Sequence, residues 1–200
     1  MINRKIGLRL TAGVTLTALL VIVVFACFII RAESRSLLME VERHASQLSD
    51  HIKSDMGYDM LHNDPERIHG GMNRIGQQES IDRVRLFNKS GEILYSSDPS
   101  DIGKMVDQHA ESCYRCHSEG QPLEHLDTKE RTRIFRRDED SPRLFGIINP
   151  IYNAESCWSA NCHAHPESQT VLGVLDVTMP LTEVDRNIRA SQVTIMIFAI

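Results

Sequence analysis

The sequence predicts an α+β protein in which a long N-terminal helix precedes an antiparallel sheet, with an apolar segment at each end. An uncharged run of 21 residues, 10–30, leads into a helical pattern that extends to about His62. From Asp82 onward apolar and polar residues alternate, which is the period of a half-buried strand. The last ten residues, 191–200, are again uncharged and mostly apolar.

The composition excludes several classes of protein. Hydrophobic residues make up 42% of the 200 residues and charged residues 24%, so the chain is neither disordered nor a multi-span membrane protein. The formal charge is −5, and all 27 acidic residues lie between Glu33 and Asp185. The stretch 31–190 has 19 of the 22 basic residues, which gives it a net charge of −8 (19 − 27). We therefore expect no nucleic-acid partner, since such a protein presents a basic face.

Residues 10–30 are predicted to form a transmembrane helix, because 21 residues at about 1.5 Å each cover a bilayer core of about 30 Å. The run is too long for a signal peptide and lacks a small-residue cleavage site. Arg4, Lys5 and Arg9 before it favour a cytoplasmic N-terminus. We expect residues 1–9 in the cytoplasm, 10–30 in the membrane, 31–190 outside it, and 191–200 at the start of a second span that continues in a longer protein.

The stretch from Arg31 to about His62 is predicted to continue the membrane helix outward. Its apolar residues are spaced by three and four positions: Leu38, Val41, Ala45, Leu48, Ile52 and Met56. This spacing suits either a dimer seam or packing onto a sheet, and it does not separate the two. A short helix is expected from Pro65 over residues 65–78.

The remaining pattern predicts five strands and a closing helix. Two strands, 82–87 and 92–97, form a hairpin around an Asn-Lys-Ser-Gly turn. Residues 102–129 are polar and irregular. Three further strands are expected at 131–136, 144–152 and 171–179, and a helix at 180–189.

Four of the five cysteines form two pairs, and a histidine follows each pair. The first motif is Cys113-Tyr-Arg-Cys116-His117, and C-x-x-C-H is the attachment signature of c-type haem. Two thiols add to the two vinyl groups of one haem, and the adjacent imidazole ligates the iron as the proximal ligand.

The second motif has four residues between its thiols: Cys157, Cys162 and His163. This spacing is a longer variant of the same signature, so two covalent haems are predicted. Disulfides within each pair would leave the histidines unexplained. Zinc would need a fourth ligand, and adjacent Cys and His residues bind one ion in poor geometry.

The sequence does not decide the second axial ligand of each iron, since a second His, a Met and a vacant position are all compatible with it. The candidates near the motifs are Met105, His109, His125 and His165, and those on the predicted helices are His44, His51, His62 and His69. His109 and His125 flank the first motif and are preferred. His165 lies two residues from His163, so it is poorly placed to reach the opposite face of the same iron.

With these motifs, the chain resembles the PAS-like or Cache-like periplasmic sensor regions of bacterial histidine kinases and chemoreceptors that carry c-type haem. The resemblance covers the anchor, the long helix, the haem motifs, the SSDPSDIG segment after the hairpin (96–103), the stretches 150–153 and 162–166, and the strand 171–177. It implies one antiparallel sheet of five strands with the long helix behind it. Two haems depart from the single-haem members of this family.

Two functions from different classes follow. The first is a haem c sensor in the bacterial inner membrane, with its domain in the periplasm, which responds to redox state or a small gaseous ligand and acts as a homodimer on downstream domains or a response regulator. The alternative is a membrane-anchored dihaem c-type cytochrome that transfers electrons to or from a redox partner. The 200 residues contain no catalytic domain, so kinase and chemoreceptor outputs are both compatible with them.

Overall fold

The structure is a computed structural model that describes residues 2–106, 113, 127–159 and 165–198. Its contacts divide the chain into two compact units. One unit is Val41–Leu181, and the other combines Met1–Glu40 with Thr182–Ile200. The first contains the sheet, and the second contains the two helix segments that precede and follow it.

Helix α1 (Ile2–Leu61) is continuous over 60 residues, which confirms the long N-terminal helix. Within the described residues it is the one helix long and apolar enough to cross a membrane. The apolar run 10–30 has three side-chain hydroxyls, and each donates to a backbone carbonyl of its own helix: Thr11 to Gly7, Thr15 to Thr11, and Thr17 to Gly13 and Val14. Each of these hydroxyl groups therefore has its acceptor within the helix itself.

The second helix of this unit is the closing helix α4 (Thr182–Phe198). It begins two residues later than the sequence predicts, because Pro180 belongs to the preceding strand. The hydroxyl of Ser191 donates to Oε1 of Glu33 at 2.8 Å, so α4 and α1 are joined by a side-chain hydrogen bond.

The junction after α1 is a tight turn that starts the second helix. Asn63 has a φ of 50°, the left-handed conformation that commonly ends helices and that asparagine tolerates. Asp64 then caps α2 (Pro65–Gly76), since its Oδ1 accepts from the backbone N–H of Arg67 at 3.0 Å. Proline suits the first helical position because the N–H it lacks would have no partner there.

Five strands form one antiparallel sheet, as expected. Their bounds agree with the prediction to within one residue: β1 (Arg83–Asn88), β2 (Ile93–Ser96), β3 (Thr132–Phe135), β4 (Leu144–Tyr152) and β5 (Val171–Pro180). Their order in the sheet is β2-β1-β5-β4-β3. A one-turn helix, α3 (Glu155–Trp158), lies between β4 and β5.

The β1–β2 hairpin turns as the sequence predicts. Oδ1 of Asn88 accepts the backbone N–H groups of Ser90 and Glu92 at 2.9 and 3.0 Å. Gly91 has a φ of 84°, which a residue with a side chain rarely adopts. The asparagine and the glycine together close the turn.

The C-terminal part of α1, from Val41 onward, packs on the sheet. Of the two alternatives that the apolar spacing left open, packing on a sheet therefore holds for these positions. Ala45, Ile52 and Met56 are buried, and so is Ser49 between them. The amide of Asn149 on β4 joins the two elements directly. Its Oδ1 accepts from Nζ of Lys53 at 2.8 Å, and its Nδ2 donates to Oδ1 of Asp50 at 2.7 Å.

The other face of the sheet has a buried ionic cluster at its centre. Asp176 on β5 is paired in register with Arg85 on β1, and its two carboxylate oxygens accept from Arg85 and Arg133. Gly146 on β4 leaves the space for the Arg133 guanidinium, because a Cβ there would lie 2.5 Å from its Cζ. The apolar strand pattern around Asp176 did not predict this cluster.

Candidate functional site

A cavity of about 290 Å³ lies within the sheet-containing unit, between the end of α1, the start of α2 and one face of the sheet. The helices contribute Gly57, Met60, Leu61, Asn63, Asp64, Pro65 and Ile68. The strands and the β4–β5 connection contribute Leu86, Leu94, Tyr95, Ile151, Cys157, His165 and Leu172. The wall is mostly apolar, with a thiol, an imidazole and a phenol among its few polar groups, as is typical of a ligand site.

The β4–β5 connection positions the thiol and the imidazole. The backbone N–H of Cys157 donates to the carbonyl of Ala154 at 2.7 Å, which closes the single turn of α3. Asn153 joins the two ends of the connection: its backbone N–H donates to Thr170 O at 2.9 Å and its Nδ2 to Pro166 O at 3.0 Å. The first thiol of the second motif and the nearby His165 therefore line one cavity.

The structure describes only part of the predicted site. Cys113 is partly buried and belongs to the connection between β2 and β3, the two edge strands of the sheet. Met105 is 63% exposed and forms a backbone bridge with Glu92. The other predicted site residues lie outside the described residues: His109, Cys116, His117, His125, Cys162 and His163.

The cavity suits one edge of a haem. A thioether bond would need a thiol beside the vinyl group of a haem, and Cys157 lines the cavity among apolar side chains. The volume of about 290 Å³ is just below the range of about 300–1,000 Å³ that is typical of ligand pockets, so the cavity would hold only part of a porphyrin. Two side chains in its wall bear atoms that ligate haem iron, the imidazole of His165 and the thioether of Met60.

Sequence reasoning did not single out Met60 and Tyr95 as cavity residues. Met60 lies on α1 and Tyr95 on β2, far from the motifs along the chain, so no local pattern connects them with Cys157. Tyr95 also contacts the ring of His69 on α2, with 4.7 Å between the ring centroids. One of the helical histidines is thus in contact with the cavity wall.

The remaining helical histidines differ in their surroundings. His62 contacts the ring of Tyr58, and its Nδ1 lies 2.8 Å from the Tyr58 carbonyl oxygen. His44 and His51 line an open groove of about 570 Å³ along α1, together with Gln47, Leu48 and Asp50. Within the part of the chain that the structure describes, no three Cys, His, Asp or Glu side chains gather as a metal site.

No protein-family model and no curated protein matches this chain. Among solved structures it is similar to the sensor domain of the histidine kinase DctB from V. cholerae, with a TM-score of 0.48 and 14% identity over 78% of this chain and 54% of that chain. It is also similar to the periplasmic domain of RsbU from Chlamydia trachomatis, with a TM-score of 0.40 and 15% identity over 78% of this chain and 56% of the other. The chain spans about half the length of the structures it matches.

Proposed function

We propose that this chain is the periplasmic input region of a membrane-bound signalling protein in bacteria, and that it carries two covalently attached c-type haems. The region responds to the redox state of the haems or to a small molecule that binds their iron. The observation that carries this proposal is the position of Cys157, whose thiol lines an apolar cavity between the sheet and the helices. A structural cysteine needs no such cavity beside it.

Each motif has its own role in holding a haem. Cys113 and Cys116 attach the first haem, and His117 ligates its iron. The second haem is attached in the same way by Cys157, Cys162 and His163, while the apolar wall of the cavity excludes water from its edge. When bound, haem supplies an iron that changes oxidation state or takes up a small ligand.

The rest of the fold supports a signalling role. The cavity is bounded by the last turn of α1, and α1 is continuous with the apolar segment 10–30. Strand β5 leads through Leu181 directly into α4. Both ends of the sheet-containing unit therefore continue into helices. This connection suits a sensor module that passes a conformational change on to the adjoining helices, rather than a cytochrome that only carries electrons.

The haem content is tested by mass spectrometry of the full chain, produced with a haem c maturation system. We expect two added haems that survive acid–acetone extraction. The double variant Cys157→Ala/Cys162→Ala should keep one haem, and so should Cys113→Ala/Cys116→Ala. Cys27→Ala is the matched control, because Cys27 lies in the apolar run of α1 and should be dispensable. No covalent haem in the wild-type chain would refute the proposal.

Signalling is tested by the distance between the exit helices in the dimer. Spin labels near Arg189 are measured by pulsed EPR with the haems oxidised, reduced and carbon-monoxide-bound. We expect the distance distribution to change between these states. Identical distributions in every state of a dimeric, haem-loaded protein would remove the sensor mechanism and favour the electron-transfer cytochrome.

A further inference from the structure

Three exposed arginines lie beside the apolar segments of α1 and α4. Arg31 directly follows the apolar run 10–30, Arg35 lies about one turn further along α1, and Arg189 is the last charged residue of α4. Within the described residues none of these three side chains forms a hydrogen bond or an ion pair. The arginines of β1 and β3, by contrast, all have carboxylate partners. The three helical arginines are therefore cations that the fold itself leaves uncompensated.

These arginines lie at one level of the helix pair that α1 and α4 form. The hydrogen bond from Ser191 to Glu33 joins the two helices and sets which of their residues are level with each other. Arg31 and Arg35 each lie two residues from Glu33, and Arg189 lies two residues from Ser191. At a rise of about 1.5 Å per residue, each arginine is within about 3 Å of that hydrogen bond along its own helix axis.

The arginines also point away from the contact between the two helices. Two residues along a helix correspond to a rotation of about 200°. Arg31 and Arg35 are therefore on the side of α1 opposite to Glu33, and Arg189 is on the side of α4 opposite to Ser191. Arg31 and Arg35 are four residues apart and share one face, where two like charges destabilise the helix unless an anion lies between them.

We infer that Arg31, Arg35 and Arg189 bind the phosphate groups of anionic phospholipids in the periplasmic leaflet of the membrane. This inference rests on the proposed function, in which the chain is membrane-bound and residues 31–190 are periplasmic. A guanidinium group donates two parallel hydrogen bonds to a phosphate and is attracted to its charge. A phosphate layer at the end of the apolar run reaches all three arginines, because they lie at one level and face outward.

The neighbouring apolar side chains favour a lipid over a soluble anion. On α1, Phe28 is 68% exposed and Ile29 39% exposed, both just before Arg31. On α4, Val193 and Met196 are 51% and 58% exposed, beyond Arg189. Exposed apolar side chains next to uncompensated cations suit a ligand that has both a phosphate and acyl chains. A free phosphate ion would leave these apolar side chains in water.

The test uses the full chain reconstituted in vesicles of phosphatidylcholine, with and without phosphatidylglycerol. Spin-labelled forms of the two lipids report by EPR the fraction of each that is immobilised at the protein. We expect the wild type to select phosphatidylglycerol. The triple variant Arg31→Gln/Arg35→Gln/Arg189→Gln should lose this selectivity, since each arginine near an anionic surface raises binding by roughly five-fold. Circular dichroism should show unchanged helix content in this variant.

Arg43→Gln is the matched control. Arg43 is also exposed on α1 and has no ion pair within the described residues, but it lies about 18 Å beyond Arg31 along the helix. This substitution should leave the selectivity unchanged. Equal immobilisation of the two lipids by the wild type, selectivity that persists in the triple variant, or an equal loss in Arg43→Gln would overturn the inference. Loss of selectivity on adding inorganic phosphate at constant ionic strength would also overturn it, because the site would then be one for the soluble ion.

Alkaline carbonate extraction separates this inference from the proposed function. A wild-type chain that carbonate removes from the vesicles is not inserted, which would refute the membrane-bound function and the inference together. A chain that stays inserted but does not select phosphatidylglycerol would overturn the inference alone.

Discussion

Nη2 of Arg133 lies 2.7 Å from Oδ1 of Asp176, and both side chains are almost completely buried in the sheet. The other carboxylate oxygen of Asp176 accepts from Nη2 of Arg85 at 2.7 Å. One carboxylate thus joins β1, β3 and β5 on the face of the sheet that does not pack on α1. Removing one partner of a buried ion pair is costly, because the other charge then stays buried without compensation.

The first prediction follows from this cluster. Asp176→Asn should lower the free energy of unfolding by about 3–5 kcal/mol, since the two guanidinium groups lose their shared negative charge. Denaturant unfolding of the sheet-containing unit within the full chain provides the measurement. Asp55→Asn is the control, because Asp55 is exposed on α1, and it should change stability by less than about 0.5 kcal/mol. Equal effects of the two substitutions would contradict the role of the cluster.

Asn149 joins α1 to β4, and its substitution tests that contact. Asn149→Ala removes the two hydrogen bonds with Lys53 and Asp50 and should cost about 1–3 kcal/mol. Amide hydrogen exchange should increase in α1 around Lys53 more than in α2. The matched control is Asn73→Ala at an exposed position of α2, which should leave both rates unchanged. Unaltered exchange in Asn149→Ala would mean that apolar packing alone holds the helix.

Gly173 on β5 is required by the close approach of β1. A Cβ at this position would lie 2.4 Å from the carbonyl oxygen of Phe87, which is backbone and cannot rotate away. Gly173→Ala should therefore destabilise the sheet by about 1–3 kcal/mol. Gly70→Ala in α2 should instead stabilise by about 0.5–1 kcal/mol, because its Cβ would meet only the tip of Arg74 at 3.5 Å. In thermal unfolding, the midpoint temperature should fall in Gly173→Ala and rise in Gly70→Ala.

Hydrogen bonds from Ser100, through its side chain and then its backbone N–H, hold the pKa of Asp98 below its usual value. A carboxylate whose pKa is lower in the folded state contributes stability above its unfolded pKa of about 4, and that contribution is lost as the pH falls through the folded pKa. Asp98→Asn should therefore lose less stability than the wild type between about pH 5 and pH 3. Urea unfolding at these two pH values makes the comparison, and parallel losses would contradict it.

The last prediction concerns the proximal ligand of the second haem. His163→Ala should keep both haems attached, because Cys157 and Cys162 are unchanged, but it should alter the optical and EPR spectra of one haem. Mass spectrometry and spectroscopy of the same sample separate attachment from ligation. Spectra identical to those of the wild type would mean that another side chain, such as His165, ligates this iron.

The sequence by itself determined the elements of the fold, because their signals are local. The period of apolar residues along α1, the Asn-Gly turn at Asn88 and Gly91, and the strand patterns each depend on residues within a few positions of one another. Each Cys-Cys-His motif likewise lies within a few positions of the chain, so the sequence shows it without any knowledge of the fold.

Only the tertiary structure decided which surfaces meet. Lys53 and Asn149, which share a hydrogen bond, are 96 residues apart. Met60, Tyr95 and Cys157, which line one cavity, are also distant from one another along the chain. The alternating pattern placed Asp176 in a strand but carried no information on its partners, because Arg85 and Arg133 reach it through strand order and register. One stripe of α1 is buried against the sheet, and the stripe of His44 and His51 lies outside this contact. The near-heptad spacing could not predict which stripe is buried, because the spacing is a property of one helix and carries no information on what packs against it.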